Sequence, residues 1–289
     1  MLNACSKDSS RPLQVAPERR DTKAAIASRF SHLPPFHVTA LHLLGIAVDS
    51  RTAIEDFEDV FRVDPAITTD LLLMANSAVF APRARIETIR HAITYLGVDR
   101  IRSLASTIAF GYQVRNAPQS PALTAVWRHS VATAVIAEKI GLASLDSSAL
   151  YTAGLMHDTG RLGLLVTAGQ PYAESFALEF ADIAEANTLE TAIAGMTHCE
   201  AGGCLARVWN LPPTLQAAIV KHHDSAADDS TIGVVQMACK LADSLGFVEV
   251  RLRDIADPQS LLPEALKNKP ELQPEQLSAT ISAQLASFQ

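Results

Sequence analysis

The sequence contains no apolar run long enough to span a bilayer, and no convincing alternation of apolar and polar residues bounded by turn residues. The first absence argues against a membrane-spanning helix, and the second against a sheet as the main architecture. Basic residues are few. The 24 lysines and arginines are outnumbered by 31 aspartates and glutamates, and the resulting net charge of −7 provides no overall attraction to nucleic acid or to an anionic membrane surface. The four cysteines, Cys5, Cys199, Cys204 and Cys239, show neither the spacing of a disulfide framework nor a Cys-x-x-Cys pair. Reduced thiols in a cytoplasmic protein are the expectation. Leu2-Asn-Ala-Cys5 has the outline of a lipoprotein cleavage site, but the apolar stretch that must precede such a site is missing. Internal repeats and low-complexity segments are absent too.

What is present is helical. With 48% hydrophobic residues in 289, the chain can bury one large core or two modest ones. Residues 1–22 are polar, carry Pro12 and Pro17, and read as a loose tail. From Lys23 onward the apolar spacing is that of helices, so the expected fold is all-α. In the first half, short helices are separated at Leu33-Pro-Pro35, Val63-Asp-Pro65 and Ala81-Pro-Arg83, because proline bars the residue before it from helical geometry. Asp64 before Pro65 is a predicted N-cap, with a helix over Thr68–Phe80 following it. The connector-like composition near residues 115–122 divides a helical subdomain at 23–120 from a second at 121–250, and a proline-punctuated extension at 251–289 ends in a helix. In the second half, helices are expected near 123–141, 146–157, 189–209, 213–223 and 230–246.

Several of those helices carry inward histidines or carboxylates. His129 lies on a helix that is apolar nearly all round. His157 and Asp158 close the next helix, with Gly160 expected as its left-handed C-cap. Ala194, Gly195, His198, Ala201 and Gly202 form a stripe of small residues, and the adjacent Gly202 and Gly203 cost about 1 kcal/mol each relative to alanine. Close approach of another helix would compensate and would hold His198 against its neighbours. His222 follows Leu215, Ala218 and Ile219 on one face, with His223 beside it, and Asp243 shares a face with Ile232, Val235 and Cys239. Imidazoles and carboxylates converging from five helices could hold one or two divalent cations, iron, manganese or zinc, which would acidify a bound water and polarise a phosphate. Taken singly, each residue has a plainer explanation: a core histidine bonded to a backbone carbonyl for His129 or His198, a helix-ending cation for His222 and His223, a side-chain pair for His157 and Asp158. Asn76-Ser77 reads as a helix-terminal cap, and Arg83, Arg85, Arg90, Arg100 and Arg102 read as a solvated face.

In motif order the second half resembles the HD superfamily of metal-dependent phosphohydrolases: His129, the doublet His157-Asp158, and an aspartate in Leu241-Ala-Asp-Ser-Leu245. His198 and His222-His223 match the additional histidines of the binuclear branch that degrades cyclic di-GMP. The first-half motifs, Leu33-Pro-Pro35, Val63-Asp-Pro65, Leu71-Leu-Leu-Met-Ala-Asn-Ser77, Ile86-Glu-Thr-Ile-Arg-His-Ala-Ile93 and Leu96-Gly-Val-Asp-Arg-Ile-Arg102, together resemble the HDOD domain, the HD-related output domain of bacterial signalling proteins. Trp209-Asn-Leu-Pro212 and Ala218-Ile-Val-Lys-His-His223 fit the same family, and the resemblance covers residues 25–250. It implies an all-helical signalling module that binds partner proteins and a nucleotide, with metal serving structure or sensing. The alternative it implies is a phosphohydrolase of nucleotides or cyclic nucleotides. In that enzyme Asp158 bridges or orients metal and water, His129, His157, His198, His222, His223 and Asp243 hold the cations, and Arg161 meets the phosphate. Arg161 stands where active enzymes usually have lysine, and no Gly-Tyr-Pro follows Asp224, which argues against the usual cyclic di-GMP phosphodiesterase. With no receiver, sensor or cyclase segment recognised, input is expected from a signalling partner in trans.

Overall fold

Capping residues and prolines set the helix boundaries of the first half. In a computed structural model that describes residue 28 and residues 38–49, 51–115, 117, 119–141, 145–224 and 230–287, this half comprises α1 (Val38–Val48), α2 (Ile54–Val63), α3 (Pro65–Ala75), α4 (Ile89–Leu96) and α5 (Val98–Arg115). The N-terminal tail, Cys5 and Leu33-Pro-Pro35 lie outside the described residues. Asp64 caps α3 as expected: its side chain accepts hydrogen bonds from the Ala66 and Ile67 amides, and Pro65 occupies the first turn. The helix stops at Ala75, short of the expected Phe80. Asn76 leaves the helical path there, and its side-chain amide donates to the carbonyls of Leu72 (2.7 Å) and Ile86 (2.8 Å) while its oxygen accepts from the Ile86 amide (2.8 Å). This residue therefore ties the end of α3 to the strand of chain leading into α4. Asn76→Ala is expected to cost about 1–3 kcal/mol in denaturant unfolding, because the Ile86 groups lose their partners. A loss within about 0.5 kcal/mol would show that water replaces the amide without penalty.

The basic stretch is not uniformly solvated. Arg83 and Arg85 are exposed, and Arg90 pairs with Glu58 at 2.9 Å. Arg102, by contrast, is buried, its guanidinium 3.2 Å from Asp146 and 2.6 Å from the Asp49 carbonyl. Its aliphatic stem and charge hold α5 to the start of the next half.

The second half contains α6 (Pro121–Ile140), α7 (Ser147–Met156), α8 (Thr159–Thr167), α9 (Gln170–Ser175), α10 (Ile183–Ala194), α11 (His198–Val208), α12 (Pro213–Lys221) and α13 (Thr231–Ser244). The extension adds α14 (Pro258–Leu261), α15 (Glu264–Lys267), a 3₁₀ turn at Pro270–Leu272 and α16 (Pro274–Ala286). The single helix expected over 189–209 is two. Gly195, at φ 77°, ends α10 in the left-handed conformation, and a Thr197/Glu200 capping box starts α11. Gly160 is not a C-cap either: α7 ends at Met156, and Gly160 lies inside α8. Among the described residues, the all-α expectation holds apart from one two-residue parallel pairing, β1 (Glu179–Phe180) with β2 (Arg251–Leu252).

The all-round apolar α6 is central, packed by α7, α13 and α16. One continuous core runs from Ala40 to Ile281 and draws on both halves. Between them, α5 and α7 are joined by buried hydroxyl pairs, Ser106 with Thr152 at 2.6 Å and Thr107 with Tyr151 at 2.7 Å. Among the described residues, no helix is long and apolar enough to cross a membrane.

Candidate metal centre

The site forms where helices end. α6 contributes His129 from its interior, the junction of α7 and α8 contributes His157 and Asp158, the first residue of α11 is His198, and His222 and His223 follow the end of α12. Two close approaches set these distances. Gly154 on α7 sits where an added Cβ would lie 2.9 Å from the Thr133 carbonyl of α6. At Gly160 on α8, a Cβ would overlap the His198 carbonyl oxygen and lie 2.6 Å from the Gly202 nitrogen of α11. The stripe of small residues thus does what its composition implied: it lets two backbones touch, and so brings His198 to Asp158.

Four imidazoles are anchored in the same way. Nδ1 donates to the Phe247 carbonyl in His129 (2.8 Å), to the Gly154 carbonyl in His157 (2.6 Å) and to the Ile219 carbonyl in His222 (2.9 Å), and in His198 it meets Glu190 Oε2 at 2.8 Å. Carbonyl and carboxylate oxygens only accept, so the proton of each neutral ring sits on Nδ1 and Nε2 presents a lone pair. The Nε2 atoms of His157, His198 and His222 converge on Asp158, whose side chain is fully buried. Asp158 Oδ1 is 3.4 Å from His198 Nε2 and 3.3 Å from His222 Nε2, and those two nitrogens are 3.3 Å apart. Asp158 Oδ2 is 2.9 Å from His157 Nε2. Neither Asp158 oxygen nor His157 Nε2 has a hydrogen bond, although all three atoms are buried. Satisfied core histidines explain the Nδ1 anchors, but they do not explain why the Nε2 atoms of three rings, lone-pair donors whenever those rings are neutral, gather on one buried carboxylate.

A cation does explain them. Two donors about 2.05 Å from one tetrahedral ion are about 3.3 Å apart, and the Asp158, His198 and His222 atoms form a triangle with that edge. The donor set of imidazole and carboxylate suits a transition-metal ion, and the anchoring of each Nδ1 is the arrangement that orients histidine ligands. His223 joins the same group, with Asp158, His198 and His222. Its ring lies 4.2 Å from that of His222, and its Nε2 is buried and unpaired. Asp243 sits at the margin, its side chain 22% exposed, and meets His129 through Nδ1 at 3.4 Å.

The electrostatics have the same sense. Burial opposes charge on Asp158, but His157, Arg161, His222 and His198 outweigh it and hold the carboxyl well below the usual range. His222 is lowered by burial and raised further by Asp158, so that it ends well above its ordinary value. Burial and Arg161 lower His198, while Glu190 leads the groups that bring it up to about 9. Positive charge is favoured beside Asp158, and a metal ion would supply it in place of those protons.

Arg161 lies beside the cluster, its Nε 3.4 Å from Asp158 Oδ1 and its Nη2 buried without a hydrogen-bond partner. Its side chain is 2% exposed, paired with Glu190, 2.6 Å from Glu249 and 3.2 Å from the Tyr172 hydroxyl. Glu190, Glu249 and Tyr172 are the members that sequence reasoning missed. Burial and the charge of Asp158 push Glu249 up to about 8. Glu190 shares a buried face of α10 with Ala186 and Ala194, a spacing that a carboxylate on a small-residue face could have revealed, and Glu249 follows α13 in irregular chain.

Fold and cluster together define an all-helical histidine–aspartate domain. The HDOD domain family matches residues 33–225, and the chain belongs to that family. An HDOD domain protein of unknown function from Geobacter sulfurreducens is 25% identical, with a TM-score of 0.67 over 88% of this chain and 87% of that one. A Shewanella amazonensis structure named as a candidate phosphohydrolase is 20% identical, with a TM-score of 0.64 over 92% and 97% of the two chains, a likeness of fold. An uncharacterized protein of Treponema pallidum is 24% identical over 96% of this chain and 53% of its own length. The chain therefore spans about half the length of the curated relative it matches.

Proposed function

We propose that this chain is a signalling module that binds a partner protein in trans and holds a divalent transition-metal ion, iron, manganese or zinc, for structure or sensing. The observation that carries this reading is the sealing of the cluster. His129, His157, Asp158, His198 and His222 are each 2% exposed or less, and Arg161 beside them is equally buried, facing Glu190 and Glu249. A phosphate-bearing substrate would have to reach a metal behind those side chains. His198 and His222, with Asp158, would hold the ion, and His157 and His223 complete its surroundings. When bound, the metal would supply a fixed positive charge at the joint of α7 and α8.

One observation favours phosphohydrolase chemistry as the second reading: Asp158 offers two unpaired oxygens, as a carboxylate that orients both metal and water would. The test is elemental analysis of the wild type beside Asp158→Ala, followed by a phosphate-release screen of the metal-loaded protein with nucleotides and cyclic nucleotides. The expected result is one or two metal equivalents in the wild type, binding weakened at least about 100-fold in Asp158→Ala, and no turnover. Turnover by the loaded wild type that disappears in Asp158→Ala would establish the hydrolase instead.

A further inference from the structure

Cys239 takes no part in the triangle around Asp158, yet it is buried in the other half of the cluster. Helix α13 presents it one turn before Asp243, and its Sγ lies 3.5 Å from His129 Nε2. Because His129 donates through Nδ1 to Phe247, the nitrogen facing the sulfur is the one that carries the lone pair when the ring is neutral. His157 Nε2, buried and without a hydrogen bond, completes a group whose three donor atoms lie within 4.8 Å of one another. An imidazole nitrogen at about 2.05 Å and a thiolate sulfur at about 2.3 Å from one tetrahedral ion are about 3.5 Å apart, which is the spacing found here. Asp243 meets the same ring at Nδ1, so on α13 it is the cysteine that faces the lone pair.

We propose that His129, His157 and Cys239 form a thiolate-bearing site for a transition-metal cation of the zinc, cobalt(II) and iron(II) class, beside the triangle of Asp158, His198 and His222. Asp158 is the carboxylate between the two: Oδ2 lies 2.9 Å from His157 Nε2, while Oδ1 faces His198 and His222. The inference rests on the reading that the cluster holds cations, and it narrows their identity. Sulfur favours zinc, cobalt(II) and iron(II) over manganese and magnesium, and the thiol proton passes to solvent as the sulfur binds.

The test uses the full chain, stripped of metal and reloaded with cobalt(II) or zinc. Cys199 is the necessary control, because its Sγ lies 3.4 Å from His198 Nε2. The cobalt form is expected to show a near-ultraviolet thiolate-to-cobalt absorption band that survives Cys199→Ser and is lost in Cys239→Ser. X-ray absorption of the zinc-loaded wild type is expected to show a sulfur neighbour at about 2.3 Å. A band that survives Cys239→Ser overturns the proposal. Zinc surrounded by nitrogen and oxygen alone also overturns it, and needs no variant, so a poorly folding Cys239→Ser leaves the test intact. In those cases the 3.5 Å contact is a thiol–imidazole hydrogen bond. Failure of the wild type to take up any metal defeats the metal-holding reading as well, whereas uptake without sulfur defeats this inference alone.

Discussion

Gly160→Ala is expected to destabilise the protein by about 3 kcal/mol or more, at the upper end of overpacking effects. The sign is what makes the experiment decisive. In an open helical position the same change would stabilise by about 1 kcal/mol, because alanine is the better helix former. At Gly160 the new methyl group would meet the His198 carbonyl and the Gly202 nitrogen, both backbone atoms of α11 that cannot rotate away. Helices α8 and α11 would have to part, carrying His198 away from Asp158, and metal affinity would fall together with stability. Denaturant unfolding and metal titration of the same variant check both consequences. A neutral or stabilising result would mean that the two helices do not touch as described.

Arg161→Met is expected to cost about 3–5 kcal/mol at neutral pH, because it leaves the buried carboxylates of Glu190 and Asp158 without their cation. Replacing Glu190 by glutamine in the same chain should recover much of the loss, since a neutral, hydrogen-bonded group needs no counter-charge. The pH dependence has a definite sign. Burial raises Glu190, but Arg161 leads the groups that hold it at about 2, against an ordinary 4.5. A carboxyl depressed in the folded state contributes stability that is complete above its unfolded value and is lost as pH falls through the folded one. The deficit of Arg161→Met should therefore be greatest at neutral pH, shrink as the variant's Glu190 takes up its proton, and go on shrinking until pH falls through about 2. A deficit that stays constant across that window would show that the arginine acts through packing alone. Thermal unfolding at stepped pH supplies the measurement.

Much of the fold and part of the site were legible in the sequence, for identifiable reasons. An all-round apolar helix must be central, so α6 could be placed from composition, and an aspartate before a proline announced the start of α3. The histidines stood out because imidazoles on apolar faces need partners. The break at Gly195–Thr197 was also written in the chain, as the capping-box pair Thr197 and Glu200, but the run of small residues across it has the spacing of one helix. Gly160 misled because a glycine two residues past an apparent helix end has the same local signature whether it caps that helix or lies against a neighbour. Glu190 and Glu249 were hidden because much of their meaning comes from Arg161, which lies far from both in the chain. No local pattern encodes such a meeting. Cys239 did carry a signal, since it shares a face with Asp243 one turn on, although as a small apolar residue it reads as core.

The anchored Nδ1 atoms have a thermodynamic consequence. Each ring is already held by a backbone carbonyl or a buried carboxylate, so a metal ion arriving at the Nε2 atoms would order almost nothing that is not ordered before it comes. Loading then amounts to an exchange at fixed atoms, with protons leaving and a cation entering, and the side chains would lose little rotational freedom in the process.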